Sequence, residues 1–166
     1  MSNIQDQLIY ESKNFTVEIH PMPFVSREDG GHIRIFPKDK QRISDRTDFT
    51  KQEAIEFIWL SMLAGEAMQK GMNKQGIPVV KINYEDLGNW AFKRGERAVL
   101  HLHIFGRAEN ATKQVFPEAV YLPDRSSGFY DGFEPLSKMD MDVIRQDIEE
   151  LLKTDKYNIE SWNIKK

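Results

Sequence analysis

A chain of 166 residues has the length of one domain, and we predict a single domain over residues 1–166. The net charge of −3 excludes a broad electrostatic attraction to nucleic acid or to an anionic membrane. The absence of cysteine excludes a disulfide framework and a thiolate metal site. The N-terminal stretch MSNIQDQLIYES lacks the basic and apolar blocks of a signal peptide, and no apolar run reaches the length of a membrane span. We therefore expect a cytoplasmic protein.

Alternation of apolar and polar residues predicts strands near the N-terminus. The segment LIYESKNFTVEIH is predicted as two short strands around a turn at Lys13-Asn14. A loop rich in proline and glycine, PMPFVSREDGG, separates them from another predicted strand, HIRIFP. The two isoleucines of that strand occupy one face, and the other face carries His32, Arg34 and Phe36.

The segment DFTKQEAIEFIWLSMLAGEAMQKGM is the clearest predicted helix. Thr50 and Glu53 have the spacing of a capping box at its start, and Gly71 is a candidate C-terminal stop. Apolar residues at helical spacing predict one buried stripe. Its members are Ile55, Ile58, Trp59 and Met62.

Strands are predicted again at IPVVKINY and AVLHLHIF, with the polar loop EDLGNWAFKRGER between them. A possible strand, AVYL, and the turn-rich stretch PDRSSGFYDGFEPL follow Arg107. A final helix is expected to start near Asp140. For the tail NIESWNIKK, packing against the domain and fraying are both compatible with the sequence. The apolar residues of that helix are Val143, Ile144, Ile148, Leu151 and Leu152. This order of elements predicts an α+β fold in which helices cover an antiparallel sheet.

The strand AVLHLHIF carries two histidines on one face, because residues two apart on a strand point the same way. Ala98, Leu100, Leu102 and Ile104 form a wholly apolar face, which we expect to pack against helix. Val99, His101, His103 and Phe105 form the other face, away from the expected core. Taken alone, the pair has an ordinary interpretation as surface or hydrogen-bonded structural histidines. A zinc site would need three or four protein ligands.

The chain resembles the histidine-triad (HIT) family of nucleotide-binding hydrolases and transferases over about residues 15–107. HLHIFGR is similar to the end of the family's histidine strand, and PMPFVSREDGGHIRIFPK to its upstream loop and strand, with Gly31-His32 and Pro37-Lys38 in place. A long helix after Phe49-Thr50 and a strand ending at Asn83 follow in the family's order. Residues 108–166 form a C-terminal extension. The first triad position is occupied by Val99.

The resemblance implies a nucleotidyl-histidine mechanism at the α-phosphorus of a nucleoside 5′-phosphate derivative, such as a dinucleoside polyphosphate or a nucleoside phosphoramidate. His101 stands at the position of the nucleophile, and His103 would contact the phosphoryl oxygens or help the leaving group. No metal or other cofactor is implied. Family members commonly form homodimers in which the sheets join edge to edge, so we expect a homodimer.

Further binding roles follow from the same resemblance. Asn83 would contact the α-phosphate, Glu18 the ribose hydroxyls and Ile19 the base. The alternatives are a strand-ending turn residue for Asn83 and a solvated strand residue for Glu18. His32 matches a histidine beside the triad, and its alternative is a plain structural role. Arg107 would face phosphate or pair with a carboxylate.

The polar loop before the histidine strand offers cations and aromatic rings for binding. Its candidates for contact with a polyphosphate or another anionic leaving group are Asn89, Lys93, Arg94 and Arg97. Trp90 or Phe92 would stack on a second base. Tyr130 and Phe133 in the extension would cover the pocket or contribute to an interface. A solvated charged loop is the competing interpretation of this segment.

Two other classes of function remain open from the sequence. Val99 at a triad position is compatible with a non-catalytic nucleotide-binding or regulatory module that has lost turnover. A metal-dependent enzyme would use the histidine pair and take its remaining ligands from Glu18, His20 or His32.

Overall fold

A computed structural model describes residues 6–164, and it shows a five-stranded sheet with every neighbouring pair antiparallel. The strand order is β1-β2-β3-β5-β4. The strands are β1 (Leu8–Glu11), β2 (Phe15–Ile19), β3 (His32–Pro37), β4 (Val79–Asp86) and β5 (Leu102–Ala108). The helices are α1 (Lys51–Lys74), α2 (Trp90–Lys93) and α3 (Lys138–Leu152). The predicted α+β fold is confirmed.

The two faces of the sheet differ in chemistry. One face carries buried aliphatic residues, among them Val17, Ile33, Ile35 and Ile104, and packs against α1 and α3. On the other face the register aligns Glu18 with Arg34, Arg34 with His103, and His103 with Glu85. Because opposed residues of antiparallel strands share a face, this second face gathers the charged and imidazole side chains.

Helix α1 begins with the predicted capping box, in which Thr50 and Glu53 each accept from the other's backbone N–H. The predicted buried stripe is wrong for most of its members: Trp59 is buried, but Ile58 is 49% exposed and Ile55 and Met62 are only partly buried. The helix is apolar on more than one side, so helical spacing alone allowed two stripes. The buried set includes Phe57, Leu60, Leu63, Ala64 and Met68.

Gly71 is not a C-terminal stop, because α1 continues to Lys74. It is buried in the helix, where an added Cβ would lie 2.9 Å from the Ile144 side chain and 3.4 Å from its backbone. The glycine therefore permits close packing of α1 against α3. The left-handed residue after the helix is Gly76, with a φ of 79°.

Helix α3 begins at Lys138, close to the predicted start, and a second capping box forms between Ser137 and Asp140. Asp140 is fully buried and also accepts two hydrogen bonds from Arg27, at 2.7 and 2.8 Å. Ile144, Ile148 and Leu151 pack into the core as predicted. The Arg27–Asp140 pair fixes the start of α3 against the loop that precedes β3.

The histidine strand is shorter at its start than predicted. β5 begins at Leu102, and residues 98–101 are not part of the hydrogen-bonded ladder. β4 ends opposite Leu102 at Asp86, and the ladder of β3 with β5 ends at Ile35, although β3 itself continues to Pro37 in its pairing with β2. Before Leu102 the chain therefore has no β4 partner, and β3 is paired with β2 alone.

Two other predictions after residue 84 need correction. Residues 119–122, proposed as a strand, have irregular structure, and the loop of residues 85–97 contains the end of β4 and the short helix α2. The tail packs in part, since Ile159, Trp162 and Ile164 contact the main core. The first five residues of the N-terminal stretch and the last two of the tail lie outside the described residues.

The C-terminal extension covers part of the second sheet face. Tyr130 joins Phe24, Val25 and Phe105 in a second buried cluster, against which Phe133 also packs. His103 and Phe105 therefore lie in a covered interior, whereas the sequence placed them on a face away from the core. In the part of the chain that the structure describes, no helix combines the length and apolar character needed to cross a membrane.

A buried carboxylate ties the extension to the loop before β3. Asp29 is 1% exposed and accepts backbone N–H groups from Thr112, Lys113 and Gln114 at 2.9, 3.0 and 2.6 Å. Charge-assisted hydrogen bonds of this kind are among the stronger ones. Asp29 thus fixes the first turn of the extension, from which the chain continues over the sheet.

Candidate active site

A cavity of about 660 Å³ opens on the second face of the sheet, at the end where β5 begins. His101, His103 and Val99 line it, together with His20 from the end of β2. The rings of His101 and His103 have centroids 4.6 Å apart. The predicted side-by-side pair of imidazoles therefore faces a space large enough for a small organic ligand.

The hydrogen bond of His101 fixes which of its nitrogens is free. Its Nδ1 lies 2.8 Å from the carbonyl oxygen of Val99, and because a carbonyl can only accept, Nδ1 carries the proton. The neutral ring then has its lone pair on Nε2. Phe36 stacks on the ring at a centroid distance of 5.4 Å and holds its orientation. His101 is thus held in one orientation, with Nε2 as its unprotonated nitrogen.

A chain of hydrogen bonds fixes the tautomer of His103. The backbone N–H of Phe24 donates to His32 Nδ1 at 3.1 Å, so His32 carries its proton on Nε2. His32 Nε2 donates to His103 Nδ1 at 2.8 Å. His103 is left with its proton on Nε2, as a hydrogen-bond donor. The structure places His32, predicted to lie beside the triad, behind His103, with both of its nitrogens engaged.

Burial keeps these imidazoles neutral. Burial lowers the pKa of His103 to about 2, and the positive charges of Arg34 and Arg125 act in the same direction. His32 is fully enclosed, and burial holds its pKa well below 6.5. Burial also lowers the pKa of His101, although its hydrogen bond to Val99 opposes the shift. All three rings are therefore uncharged at neutral pH.

His20 lines the cavity, although from the sequence it was named only as a possible metal ligand. Its Nδ1 accepts the Met22 N–H at 3.1 Å, so its proton lies on Nε2. Burial lowers its pKa to about 2. It contributes a second neutral donor to the wall of the cavity. His20 is two residues after Glu18, and residues two apart on a strand share a face. This spacing was the signal in the sequence that His20 lies on the same face as the other site residues.

The cavity also contains two arginines with no predicted binding role. Arg34 lies on β3 opposite His103, and Arg125 comes from the C-terminal extension. Burial lowers the pKa of Arg34 to about 10, so it remains charged at neutral pH. The register of β3 against β5 determines the place of Arg34, and the fold of the extension determines that of Arg125.

The loop between β4 and β5 forms one wall. Four of the candidate binding residues of this loop line the cavity, namely Asn89, Trp90, Arg94 and Arg97. Arg94 is paired with Glu96 at 2.8 Å, and Arg97 donates to two backbone carbonyls. The structure does not bring all candidates of this loop to the cavity: Phe92 is 74% exposed, and Lys93 pairs with Asp124 of the extension.

Asn83 and Arg107 lie outside the cavity and bind each other, which argues against their predicted phosphate roles. Arg107 is 2% exposed, and its Nη1 donates to Asn83 Oδ1 at 2.9 Å. Its Nη2 lies within hydrogen-bonding distance of three carbonyl oxygens of the extension, those of Gln114, Val115 and Glu118. Arg107 therefore has a structural role, because its two Nη groups join β4 to the extension, while its Nε is buried without a hydrogen bond.

Glu18 and Ile19 are also absent from the cavity wall. Ile19 is opposed to Ile33 and packs into the main core on the helix-covered face, since strand alternation turns it away from Glu18. Glu18 is buried on the cavity side of the sheet, where it accepts from Thr16 Oγ1 at 2.7 Å and lies opposite Arg34. Neither side chain is placed to contact a nucleotide directly.

The geometry gives no support to a metal site built on these residues. Across residues 6–164, no three His, Cys, Asp or Glu side chains converge on a point that would hold a metal ion. Both nitrogens of His32 are already hydrogen-bonded. The histidine pair therefore lacks the further ligands that a metal-dependent enzyme would need.

Comparison with known proteins decides the family. The profile of the HIT domain matches residues 1–110, which is more than half of the chain. This chain belongs to the HIT family. A search of curated proteins found no match, and the structural similarities below involve identities low enough to show the fold alone.

Solved structures share the HIT fold over most of this chain. A histidine triad protein from Sinorhizobium meliloti is 18% identical, with a TM-score of 0.59 over 88% of this chain and 90% of its own. A hypothetical histidine triad nucleotide-binding protein from Sulfolobus tokodaii is 16% identical, with a TM-score of 0.57 over 92% and 89%. A uridylyltransferase is 14% identical, with a TM-score of 0.53 over 89% of this chain and 43% of its own. The HIT domain thus places this protein in a superfamily of nucleotide-binding hydrolases and transferases.

Proposed function

We propose that this HIT protein hydrolyses, or transfers from, a nucleoside 5′-phosphate derivative through a nucleotidyl-histidine intermediate on His101. The observation that carries the proposal is the tautomer of His101, whose Nδ1–H is donated to the Val99 carbonyl. That bond leaves the Nε2 lone pair available on a ring that burial keeps neutral.

The reaction then runs in two displacements. The Nε2 lone pair attacks the α-phosphorus, the N–P bond forms, and the bond from phosphorus to the leaving group breaks with its electron pair. The imidazole becomes cationic, and its Nδ1–H stays bonded to the Val99 carbonyl, which stabilises that charge. Water then attacks phosphorus, the N–P bond breaks, His101 regains its lone pair, and the proton of the water passes to solvent.

The state of His103 favours leaving groups that depart as anions. A neutral imidazole donates a hydrogen bond from Nε2 to a phosphoryl oxygen, but it is not a proton donor at neutral pH. A phosphate leaving group needs no proton, whereas the amine of a phosphoramidate does. We therefore expect dinucleoside polyphosphates to be better substrates than nucleoside phosphoramidates.

Turnover assays on wild-type protein and on His101→Asn test the proposal. The substrates are dinucleoside polyphosphates and nucleoside phosphoramidates, with binding of adenosine monophosphate measured in parallel. We expect His101→Asn to lose turnover by a factor of about 10³ or more while nucleotide binding is retained. Full activity of His101→Asn on every substrate cleaved by the wild type would show that His101 is not the nucleophile.

Val99 supports one rival, a nucleotide-binding module without turnover. Its side chain lines the cavity at the position that the family resemblance assigns to the first triad histidine. The rival predicts that the wild-type protein binds adenosine monophosphate and turns over no nucleotide tested. The same pair of assays therefore separates the two functions.

We also propose the homodimer that the family resemblance implies. β4 is an edge strand with unpaired backbone groups, and it exposes Val80 and Tyr84 by 45% and 46%. A second copy of the chain pairing along β4 would cover both. Light scattering on wild type and Val80→Lys tests this, and a dimer unaffected by the charge would place the interface elsewhere.

A further inference from the structure

We propose that Arg34 and Arg125 form the phosphate-binding site of the cavity, with Arg34 contacting the non-bridging oxygens of the phosphoryl group that His101 attacks. The identification as a phosphoryl group depends on the proposed function. The presence of an anion site beside the histidines depends only on the contacts of the two arginines.

Arg34 is a charged side chain whose hydrogen-bonding capacity is not satisfied within the described residues. Its Nε is buried without a hydrogen bond, and no group in residues 6–164 accepts from either of its other guanidinium nitrogens. The side chain as a whole is partly buried, and a charged donor buried without an acceptor is costly unless an anion supplies one. Arg34 lines the cavity together with His20, His101 and His103, and it is opposed to His103 in the register of β3 against β5. Its charge lowers the pKa values of all three imidazoles.

The neighbours of Arg34 orient it without satisfying it. Its Cζ lies 4.7 Å above the ring of Phe36, the ring that also stacks on His101. Glu18, opposite in the register, raises the Arg34 pKa through space against the effect of burial. The guanidinium is thus held beside the nucleophile and kept charged, with its donors free.

Arg125 approaches the same cavity from the extension. Its Nη2 donates to the Met22 carbonyl at 2.7 Å, and its Cζ lies 4.4 Å from the ring of Phe24 and 5.2 Å from that of Tyr130. These contacts fix the side chain and use one of its donors. Arg34 and Arg125 line the same cavity, and the charge of Arg125 lowers the pKa values of Arg34 and His103.

The other arginines near the cavity are engaged elsewhere, and Lys40, whose charge also lowers the pKa of His101, is an exposed residue over the ring of Phe36. Arg107 is bound to Asn83 and to carbonyls of the extension, Arg94 to Glu96, and Arg97 to the carbonyls of Lys40 and Arg42. Val99 supplies no polar side-chain atom. The charge that develops on phosphoryl oxygens during attack on phosphorus therefore depends on Arg34 and Arg125, since guanidinium donors are suited to phosphate geometry.

Calorimetric titration of nucleoside monophosphates against the matching nucleosides tests the site directly. The probes are the adenosine, guanosine, cytidine and uridine pairs, and the proteins are wild type, Arg34→Gln, Arg34→Lys and Arg125→Gln. We expect wild type to bind at least one monophosphate about tenfold or more tightly than its nucleoside, as one charge-assisted contact supplies. Arg34→Gln should abolish most of this preference, Arg125→Gln part of it, and Arg34→Lys should retain an intermediate value.

The nucleoside arm separates phosphate binding from a structural role. Each variant should bind the nucleoside within about twofold of wild type, because the substitutions leave the rest of the cavity in place. Lys153→Gln, which removes a surface charge paired with Glu150 on α3, is the matched control and should keep the full preference. If the variants are active on a cleavable nucleotide, Arg34→Gln should lower kcat/KM by about 10²-fold or more.

Three results would overturn the inference. They are a wild type without phosphate preference for any of the four pairs, an Arg34→Gln protein that keeps the preference, and an equal loss of nucleoside binding in that variant. Failure of the proposed function has a different signature, because absence of turnover and of a His101 adduct leaves the phosphate preference measurable.

Discussion

At the residue scale, the reactivity of His101 depends on opposing influences on one imidazole. Burial and the charge of Arg34 lower its pKa, while the Val99 carbonyl and Asp86 raise it. The net direction is downward from 6.5, so the ring is neutral at neutral pH. Because attack needs the unprotonated Nε2, activity is lost only when the pH falls through this lowered pKa.

The acid limb of the pH–rate profile checks this assignment. We expect kcat/KM for a cleavable nucleotide to be flat around pH 7 and to decline with an apparent pKa below 6.5. Asp86→Asn removes a charge that raises the His101 pKa and should move the limb to lower pH. Asp142→Asn, on α3 beyond the opposite sheet face, should leave it in place. A wild-type limb at or above 6.5 would contradict a buried, neutral nucleophile.

At the element scale, the C-terminal extension is part of the site because two buried groups attach it to the sheet. Asp29 receives three backbone N–H groups of residues 112–114, and Arg107 lies against the carbonyls of residues 114–118. Arg125 follows from this anchored start. The extension thus contributes the Arg125 cation to a cavity whose other walls include residues of β3 and β5.

Loss of the Asp29 anchor should therefore affect both stability and binding. Asp29→Ala leaves three N–H groups without their acceptor, and we expect the free energy of unfolding to fall by more than about 2 kcal/mol. Nucleoside monophosphate binding should weaken as Arg125 loses its place. Urea denaturation and titration measure the two effects, with the exposed Asp131→Asn as control. A variant as stable as wild type would show that the anchor is dispensable.

The elements differ in how far their sequences determined them. Alternation around Val17 and Ile33 identified the strands, and the Thr50–Glu53 spacing identified the start of α1, since both patterns are local. The buried side of α1 was mispredicted because Ile58 and Leu60 are equally apolar. The start of β5 depends on where its pairing with β3 and β4 ends, which the sequence of β5 alone does not contain.

The candidate site likewise has features that local sequence predicts and features that depend on the tertiary fold. The adjacency of His101 and His103 follows from spacing on one segment and was predicted. The approach of Arg34 to them requires the register of β3 against β5, and that of Arg125 requires the path of the extension. Asn83 and Arg107 stand at positions that match the family's binding residues. Their hydrogen bond to each other could not be predicted, because it depends on the alignment of β4 with β5.

At the scale of the whole molecule, neutral buried histidines couple stability to pH. His20, His32 and His103 have folded-state pKa values far below 6.5, so the unfolded chain binds more protons in acid. Their contribution is fully present above pH 6.5 and declines below it. Each should cost about 1.4 kcal/mol per pH unit as the pH falls further.

Denaturant titrations between about pH 8 and pH 5 test this coupling. We expect the free energy of unfolding to be level above pH 7 and to fall steeply in acid. His20→Gln removes one of the coupled groups, and its slope below pH 6 should be smaller by about one proton. Stability that is independent of pH over this range would mean that these imidazoles are free to ionise in the folded protein.

The most direct test of the account is to trap the reaction intermediate. Wild-type protein is mixed with a dinucleoside polyphosphate, quenched in base to preserve the N–P bond, and mapped by peptide mass spectrometry. The account predicts one nucleotidyl group on His101, and none on the His101→Asn protein. Turnover without an adduct, or an adduct on His103 or His20, would contradict it.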